Sequence, residues 1–280
     1  MVKVWNYIEV LKPRETSLLV FISLCASIVA VQGFPSWGKL LLTLIAVTLG
    51  SAGVNGLTCY LDRRVDCRMQ RTLRRPLPSR RVPPEKALLL TLSLTVVALS
   101  LAWILHPLCF VAGMVGTAAA VLKRKTVFCP FMGAISSCTP ILIAWFAFKP
   151  ELDLPLILLC VLICIWVPLH VWSVMIANRE DYLGAGVNYF PLSRRTTEVV
   201  KVLPVLSLLL FFASITIYFS EDLGVLYLIV AQPLGILVIY ASFRLLVSGA
   251  SQNAWKVYKL SAFPYLGLIF LAMSLDSWLV

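Results

Sequence analysis

TCYLDRRVDCRMQRTLRRPLPSRRVPP, residues 58–84, is the longest polar run in an otherwise apolar chain. It holds two aspartates four residues apart, Asp62 and Asp66, within a dense set of arginines. The 280-residue chain around it is 60% hydrophobic and only 13% charged. A soluble domain has about 45–50% apolar and about 25% charged residues. The composition implies an all-α, polytopic membrane protein. Long unbroken apolar stretches, rather than short alternating ones, exclude the strands of a membrane barrel.

Nine apolar stretches lie on either side of this run: residues 16–31, 37–57, 87–105, 107–122, 128–148, 154–177, 202–219, 223–247 and 260–278. Each approaches the ~20 residues needed to cross a ~30 Å hydrocarbon core. The expectation is one domain, 1–280, of nine transmembrane helices around a central cavity. Nine crossings put the termini on opposite sides. All but Lys39 and Lys149 of the 24 Lys and Arg then fall on the N-terminal side. Lys and Arg gather in cytoplasmic loops, so the N-terminus and the cavity mouth are expected inside and the C-terminus outside. The same rule accounts for the net charge of +11 without any nucleic acid. Polar islands follow the second and sixth stretches, and basic residues follow the fourth and eighth. That alternation suggests a duplicated four-helix unit with a ninth helix added. The eight cysteines are scattered, mostly in apolar runs, and read as small hydrophobes.

Thr58, Asp62 and Asp66 are spaced i, i+4 and i+8, which stacks them on one face if the second helix runs through them. Two carboxylates on one face repel each other unless a cation sits between them. Mg²⁺ suits the place, because it takes one or two carboxylates together with substrate phosphates. Arg68, Arg71 and Arg75 behind the pair can fork onto phosphate oxygens. The run therefore reads as a magnesium–diphosphate site; the alternative is a solvated basic loop. The second island, NREDYLGAGVNYFP at 178–191, ends the sixth helix. Its Asp181, with Asn178 one turn earlier, offers oxygens for a second metal. His170 lies inside a long apolar helix, where a polar group is a functional candidate. The other reading is a buried histidine satisfied by a helix carbonyl. Trp166, Trp172 and Tyr189 read as anchors or packing.

DRRVDCRMQRTLRRPLPS resembles the first aspartate-rich motif of the UbiA-type intramembrane prenyltransferases. Asp62, Asp66, Met69, Arg71, Thr72, Arg75, Pro76 and Leu77 match DxxxDxxMxRTxxRPL, the fuller pattern of that family's haem-farnesylating branch. EDYLGAGVNYFP is similar to the second motif, DYxxAGxxxxP, through Asp181, Tyr182, Ala185, Gly186 and Pro191. WVPLHVW around His170, LKRKT at 122–126 and the terminal MSLDSWLV are similar too. The resemblance implies Mg²⁺-dependent transfer of farnesyl from farnesyl diphosphate to a vinyl group of haem B, with addition of water, in the cell's inner membrane. It implies metal oxygens from Asp62, Asp66 and Asp181, with Asn178 and Thr58 beside them. Arg68, Arg71, Arg75, Arg124 and Lys125 would take the diphosphate, and His170 the haem. Thr58 stands where the family usually has Asn, Arg80 where it often has Gly, and Arg179 where it has Lys. A family member with another acceptor (a quinone precursor, a chlorin or a lipid alcohol) is the nearer alternative. A transporter is the distant one, disfavoured because the charges lie at the inner rim rather than at the membrane midplane.

Overall fold

The structure is a computed structural model that describes residues 4–123, 128–220 and 223–279. From the N-terminus the chain forms α1 (Val4–Val10), α2 (Pro13–Val31), α3 (Trp37–Asp66), α4 (Pro84–Leu105), α5 (Pro107–Lys123) and α6 (Cys129–Phe148). Then come α7 (Leu154–Ala177), α8 (Arg179–Gly184), α9 (Thr196–Val199), α10 (Val202–Ser220), α11 (Val225–Ser248) and α12 (Ser251–Leu260). A π-helical segment, Ser261–Gly267, joins α12 to α13 (Leu268–Leu279). Among the described residues there is no strand. Eight helical runs there are long and apolar enough to cross a membrane, and Pro107–Leu122 is a shorter apolar helix. The nine stretches expected from the sequence are thus eight full-length candidates and one short one. Trp103, Ile104, Phe131, Phe212 and Val247 lie exposed on the outside of the bundle. Such a belt suits lipid rather than water, and the protein is transmembrane.

The long helices pack largely in chain order and close on themselves. Each of α2 to α7 contacts the next; α7 meets α10, α10 meets α11, α11 meets α13, and α13 returns to α2. Small residues set the closest approaches. A Cβ on Gly56 would run into the Thr91 side chain of α4, and one on Gly116 into Thr139 of α6. Glycine at these two places lets backbones approach where any larger residue would push them apart. The core between the helices is filled by Trp145, Tyr227, Tyr265 and Phe270, all fully buried.

Two features of this bundle position the polar islands. The first is the length of α3. Its 30 residues span about 45 Å at about 1.5 Å each. That exceeds a ~30 Å hydrocarbon core by roughly ten residues. The last turns of α3, carrying Thr58, Asp62 and Asp66, therefore stand beyond the apolar part of the bundle on one continuous helix, as their spacing predicts. The second is the break in the last span. Residues 260–278 were expected as one uninterrupted helix. Instead the helical run begins at Ser251 and is broken by the π segment, where Ala262 leaves helical geometry at ψ −132°. Pro264 is the cause: it has no N–H for the helix ladder, and its ring crowds the preceding turn. The break leaves the Ser261 carbonyl and hydroxyl available to α7.

Candidate active site

The two islands meet. Asp181, in α8, accepts a hydrogen bond from the Gln70 backbone N–H (2.6 Å) at one oxygen and from the Arg71 N–H (3.2 Å) at the other. Next to it, Arg71 Nη2 donates to the Tyr182 hydroxyl (3.1 Å), and its guanidinium lies 5.7 Å from the Tyr182 ring centre. Burial pushes the Tyr182 pKa above its ordinary value against the smaller pull of Arg71, so the group remains a neutral hydroxyl. Met69, fully buried, packs with Met175, Tyr182, Ala185, Val187, Tyr189 and Leu192. A methionine from the first island is thus the peg around which the second island folds. Arg179 staples that island from within: its Nη2 donates to the carbonyls of Leu192 (2.8 Å) and Arg194 (2.9 Å).

On the first island, Asp66 is 1% exposed and ion-paired with Arg75, Nη1 to Oδ2, at 3.1 Å. The Thr72 hydroxyl donates to the Asp66 carbonyl (2.8 Å), tying the loop back onto the end of α3. Asp62 is half-buried one turn earlier. Thr58 is buried, and its hydroxyl donates to the Asn55 carbonyl of its own helix (2.8 Å). Arg68 and Gln70 line a cavity of about 710 Å³ with Asn178, Glu180 and Asp181. The Asn178 amide donates to the Val174 carbonyl at the end of α7 (2.8 Å). Arg124 and Lys125 lie outside the described residues.

Mg²⁺ is a hard cation that takes oxygen ligands. Asp62 and Asp66 offer the hard oxygens it prefers, and one or two carboxylates with substrate phosphates make an ordinary magnesium site. The pair fits. Among the described residues, however, no group of three or more His, Cys, Asp or Glu side chains is gathered closely enough to hold a metal. Asp181 and Asn178, expected to offer oxygens to a second metal, and Thr58, expected beside the first, are each engaged in a hydrogen bond here. These bonds leave lone pairs for a cation: Asn178 donates through its amide nitrogen, Thr58 donates its hydroxyl hydrogen, and each Asp181 oxygen accepts a single N–H.

His170 is held by three neighbours, Trp166 of its own helix and Tyr258 and Ser261 of the broken last span. Its ring stacks on Trp166 (centroids 4.7 Å apart, 17° between planes) and on Tyr258 of α12 (4.4 Å, 29°). Its Nδ1 lies 3.0 Å from the Ser261 hydroxyl, and Trp166 Nε1 donates to the Ser261 carbonyl. The satisfied histidine weighed in the sequence is seen, but its partner is a serine side chain of the broken last span rather than a helix carbonyl. Trp166 is part of this stack rather than an interfacial anchor. Tyr258 lies within electrostatic reach of Glu15, Arg71 and Arg75, so the stack and the acidic islands share one end of the bundle. Arg80, where the family often has glycine, sits at φ 56°, the left-handed region that glycine enters freely. A residue with a Cβ holds it at a cost of about 1 kcal/mol.

The Asp181 clamp makes a prediction. In Asp181→Asn, an amide N–H₂ would face one of the two backbone N–H groups, donor against donor. Loss of a charge-assisted bond of roughly 1.5–3 kcal/mol is expected to raise opening of the loop about tenfold or more. Trypsin cleavage at Arg68 and Arg71, compared between the two purified proteins, measures it. Equal cleavage rates would show that Asp181 does not hold the loop.

A helical membrane bundle with paired carboxylates and arginines on joined loops at one end has the make-up of an intramembrane enzyme for diphosphate-headed lipids. Residues 19–268 match the UbiA prenyltransferase family, and the chain belongs to that family. A protein of Desulforudis audaxviator (strain MP104C) named protoheme IX farnesyltransferase is 36% identical over 281 aligned positions, 98% of this chain and 88% of that one. Two solved structures share the fold. One, from work on digeranylgeranylglyceryl phosphate synthase in membranes, has a TM-score of 0.81 at 19% identity, covering 100% of both chains. The other, a UbiA homologue from Archaeoglobus fulgidus bound to GPP and Mg²⁺, has a TM-score of 0.67 at 14% identity, covering 98% of this chain and 100% of its own. The protein is a prenyltransferase.

Proposed function

We propose that this prenyltransferase moves a farnesyl group from farnesyl diphosphate to a vinyl group of haem B, with addition of water, giving haem O. The observation that carries the donor half is the Asp181 carboxylate bridging to the Gln70 and Arg71 amides. It joins two islands 110 residues apart in sequence, the first of which carries Asp62, Asp66, Arg71 and Arg75. The haem half is supported by the near full-length similarity to the Desulforudis protein.

In this reading Asp62 and Asp66 hold Mg²⁺, which when bound draws charge onto the diphosphate and makes it a better leaving group. Arg71 and Arg75, with Arg68 at the rim, take the diphosphate oxygens as bidentate forks. Arg124 and Lys125 add to that set from outside the described residues. The Asp66–Arg75 pair keeps both groups oriented before substrate arrives. Asp181 acts by holding the loop that presents Arg71. The farnesyl tail lies among the helices, where apolar walls keep water from the allylic carbon until the vinyl group is in place. His170 is fixed through Nδ1 by Ser261, so Nε2 is the nitrogen proposed to meet the haem, with Trp166 and Tyr258 as flat walls. The charge distribution supports an N-terminus and a site mouth on the cytoplasmic side of the cell membrane.

The test is the product. Purified protein given farnesyl diphosphate, haem B and Mg²⁺ is expected to release diphosphate and to yield a mass equal to haem B plus a farnesyl group and a hydroxyl, the second proton of the added water being lost. Chelation of the metal is expected to abolish it. Transfer to a quinone precursor or a lipid alcohol, with none to haem, would replace the acceptor in this reading.

A further inference from the structure

The site has a second, unassigned wall. A cavity of about 430 Å³ lies between the N-terminal segment and the first island, with Trp5, Lys12, Arg14 and Glu15 on one side and Asp66 and Arg75 on the other. The N-terminal segment is latched to that island. Arg81 Nη1 donates to Asn6 Oδ1 (3.0 Å) and is ion-paired with Glu9 Oε2 (3.2 Å). Between α1 and α2 the chain turns at Lys12, which takes φ 50° and ψ 66°. A non-glycine residue in the left-handed region is uncommon and is retained where the surroundings require it. The turn places Lys12 on the wall of the cavity, which it lines together with Cys59 on the face of α3.

We infer that Lys12 and Arg14 form an anion subsite for the carboxylates of the acceptor, the propionates of haem. The inference rests on the haem reading above and deepens it. Haem carries its vinyl groups and its propionates on opposite edges of the ring. An acceptor that turns a vinyl group toward the diphosphate must place two negative charges away from Asp62 and Asp66, which would repel them. Across the cavity from Asp66, whose charge Arg75 balances, the wall made by Lys12 and Arg14 supplies that place. Glu9 is paired with Arg81 and Asp66 with Arg75, so of the remaining lining charges Lys12 and Arg14 outnumber Glu15 and leave the space net positive. The positive pole of the 19-residue α2 opens on the same space. Apolar walls from Trp5, Val10 and Leu77 suit the edge of a macrocycle better than a second diphosphate.

The experiment compares haem B with its dimethyl ester, whose propionates are uncharged. Lys12→Gln and Arg14→Gln are each expected to raise the KM for haem B about five- to tenfold, the loss of one charge-assisted contact. The kcat and the KM for farnesyl diphosphate should stay near wild type. The ester should bind wild type about as weakly as haem B binds the variants, with no further loss in them. Lys12→Arg should restore haem affinity. The same contrast is read without turnover by titrating haem B and its ester into the protein and following the haem absorption band. A rise in KM for farnesyl diphosphate instead would assign the pair to the donor. An equal loss for acid and ester, or no loss for either, would overturn the subsite. If wild type bound haem B with this charge dependence yet made no farnesylated product, the subsite would stand and the proposed reaction would fall.

Discussion

Asp66→Asn is expected to lower kcat/KM for prenyl transfer at least about 100-fold, roughly 3 kcal/mol of transition-state stabilisation, with the fold intact. The residue is buried, at 1% exposure, at the last turn of a helix that extends beyond the hydrocarbon core. Its carboxylate has two proposed tasks: one metal oxygen and the orientation of Arg75. Asparagine keeps the shape and one acceptor oxygen but removes the charge that draws a hard cation to the site. The Mg²⁺ concentration for half-maximal rate should therefore rise along with the loss of rate. Stability should change by no more than about 1 kcal/mol, because the Arg75 side chain is 35% exposed and water can solvate it once its partner is neutral. Diphosphate release measured against Mg²⁺ concentration tests the claim. Full activity at ordinary Mg²⁺ would remove Asp66 from the chemistry.

The parts of this site that were legible in the sequence are those carried by one helix. Spacing alone put Thr58, Asp62 and Asp66 on a face, and α3 does run through all three. What was not legible is what crosses the chain. Asp181 finds two backbone amides, and every residue except proline carries such a group, so nothing in the sequence marks Gln70 and Arg71 as its partners. Asp66 pairs with Arg75 rather than another of the island's arginines, a choice made by the loop's path after Thr72. His170 was marked by its setting in an apolar helix, but its partner Ser261 is 91 residues away. That partner becomes available only because Pro264 breaks the last span. The proline was visible, and reading residues 260–278 as unbroken overlooked it. Arg80 was noted in the sequence only as a departure from the family's glycine, and its left-handed backbone, φ 56°, is seen in the structure alone.

The resemblance in the terminal MSLDSWLV conceals a structural role that motif reading does not expose. Asp276→Ala is expected to cost about 2–3 kcal/mol of stability while leaving the transfer rate per folded molecule unchanged. Asp276 belongs to α13, is 4% exposed, and accepts the Tyr227 backbone N–H at 2.7 Å. Tyr227 lies in the first turn of α11, whose N-terminal Gly224 supplies no side-chain cap. A carboxylate from another helix thus caps α11, combining a charge-assisted bond with the favourable pole of the helix. Alanine would leave a buried N–H unpaired, which carries most of the expected loss. Asparagine keeps an acceptor and should cost about 1 kcal/mol. The contact also predicts a coupling. A Cβ on Gly224 would lie 2.8 Å from Asp276 Oδ1, so Gly224→Ala should destabilise by pressing on that carboxylate. With Asp276 already shortened to alanine the pressure is gone, and the double variant should lose less than the two single losses added together. Denaturation in detergent of the four proteins measures this, with transfer assayed on the folded fraction. Additive losses would show that the two residues act independently. A drop in rate per folded molecule would tie this end of the bundle, opposite the acidic islands, to the chemistry.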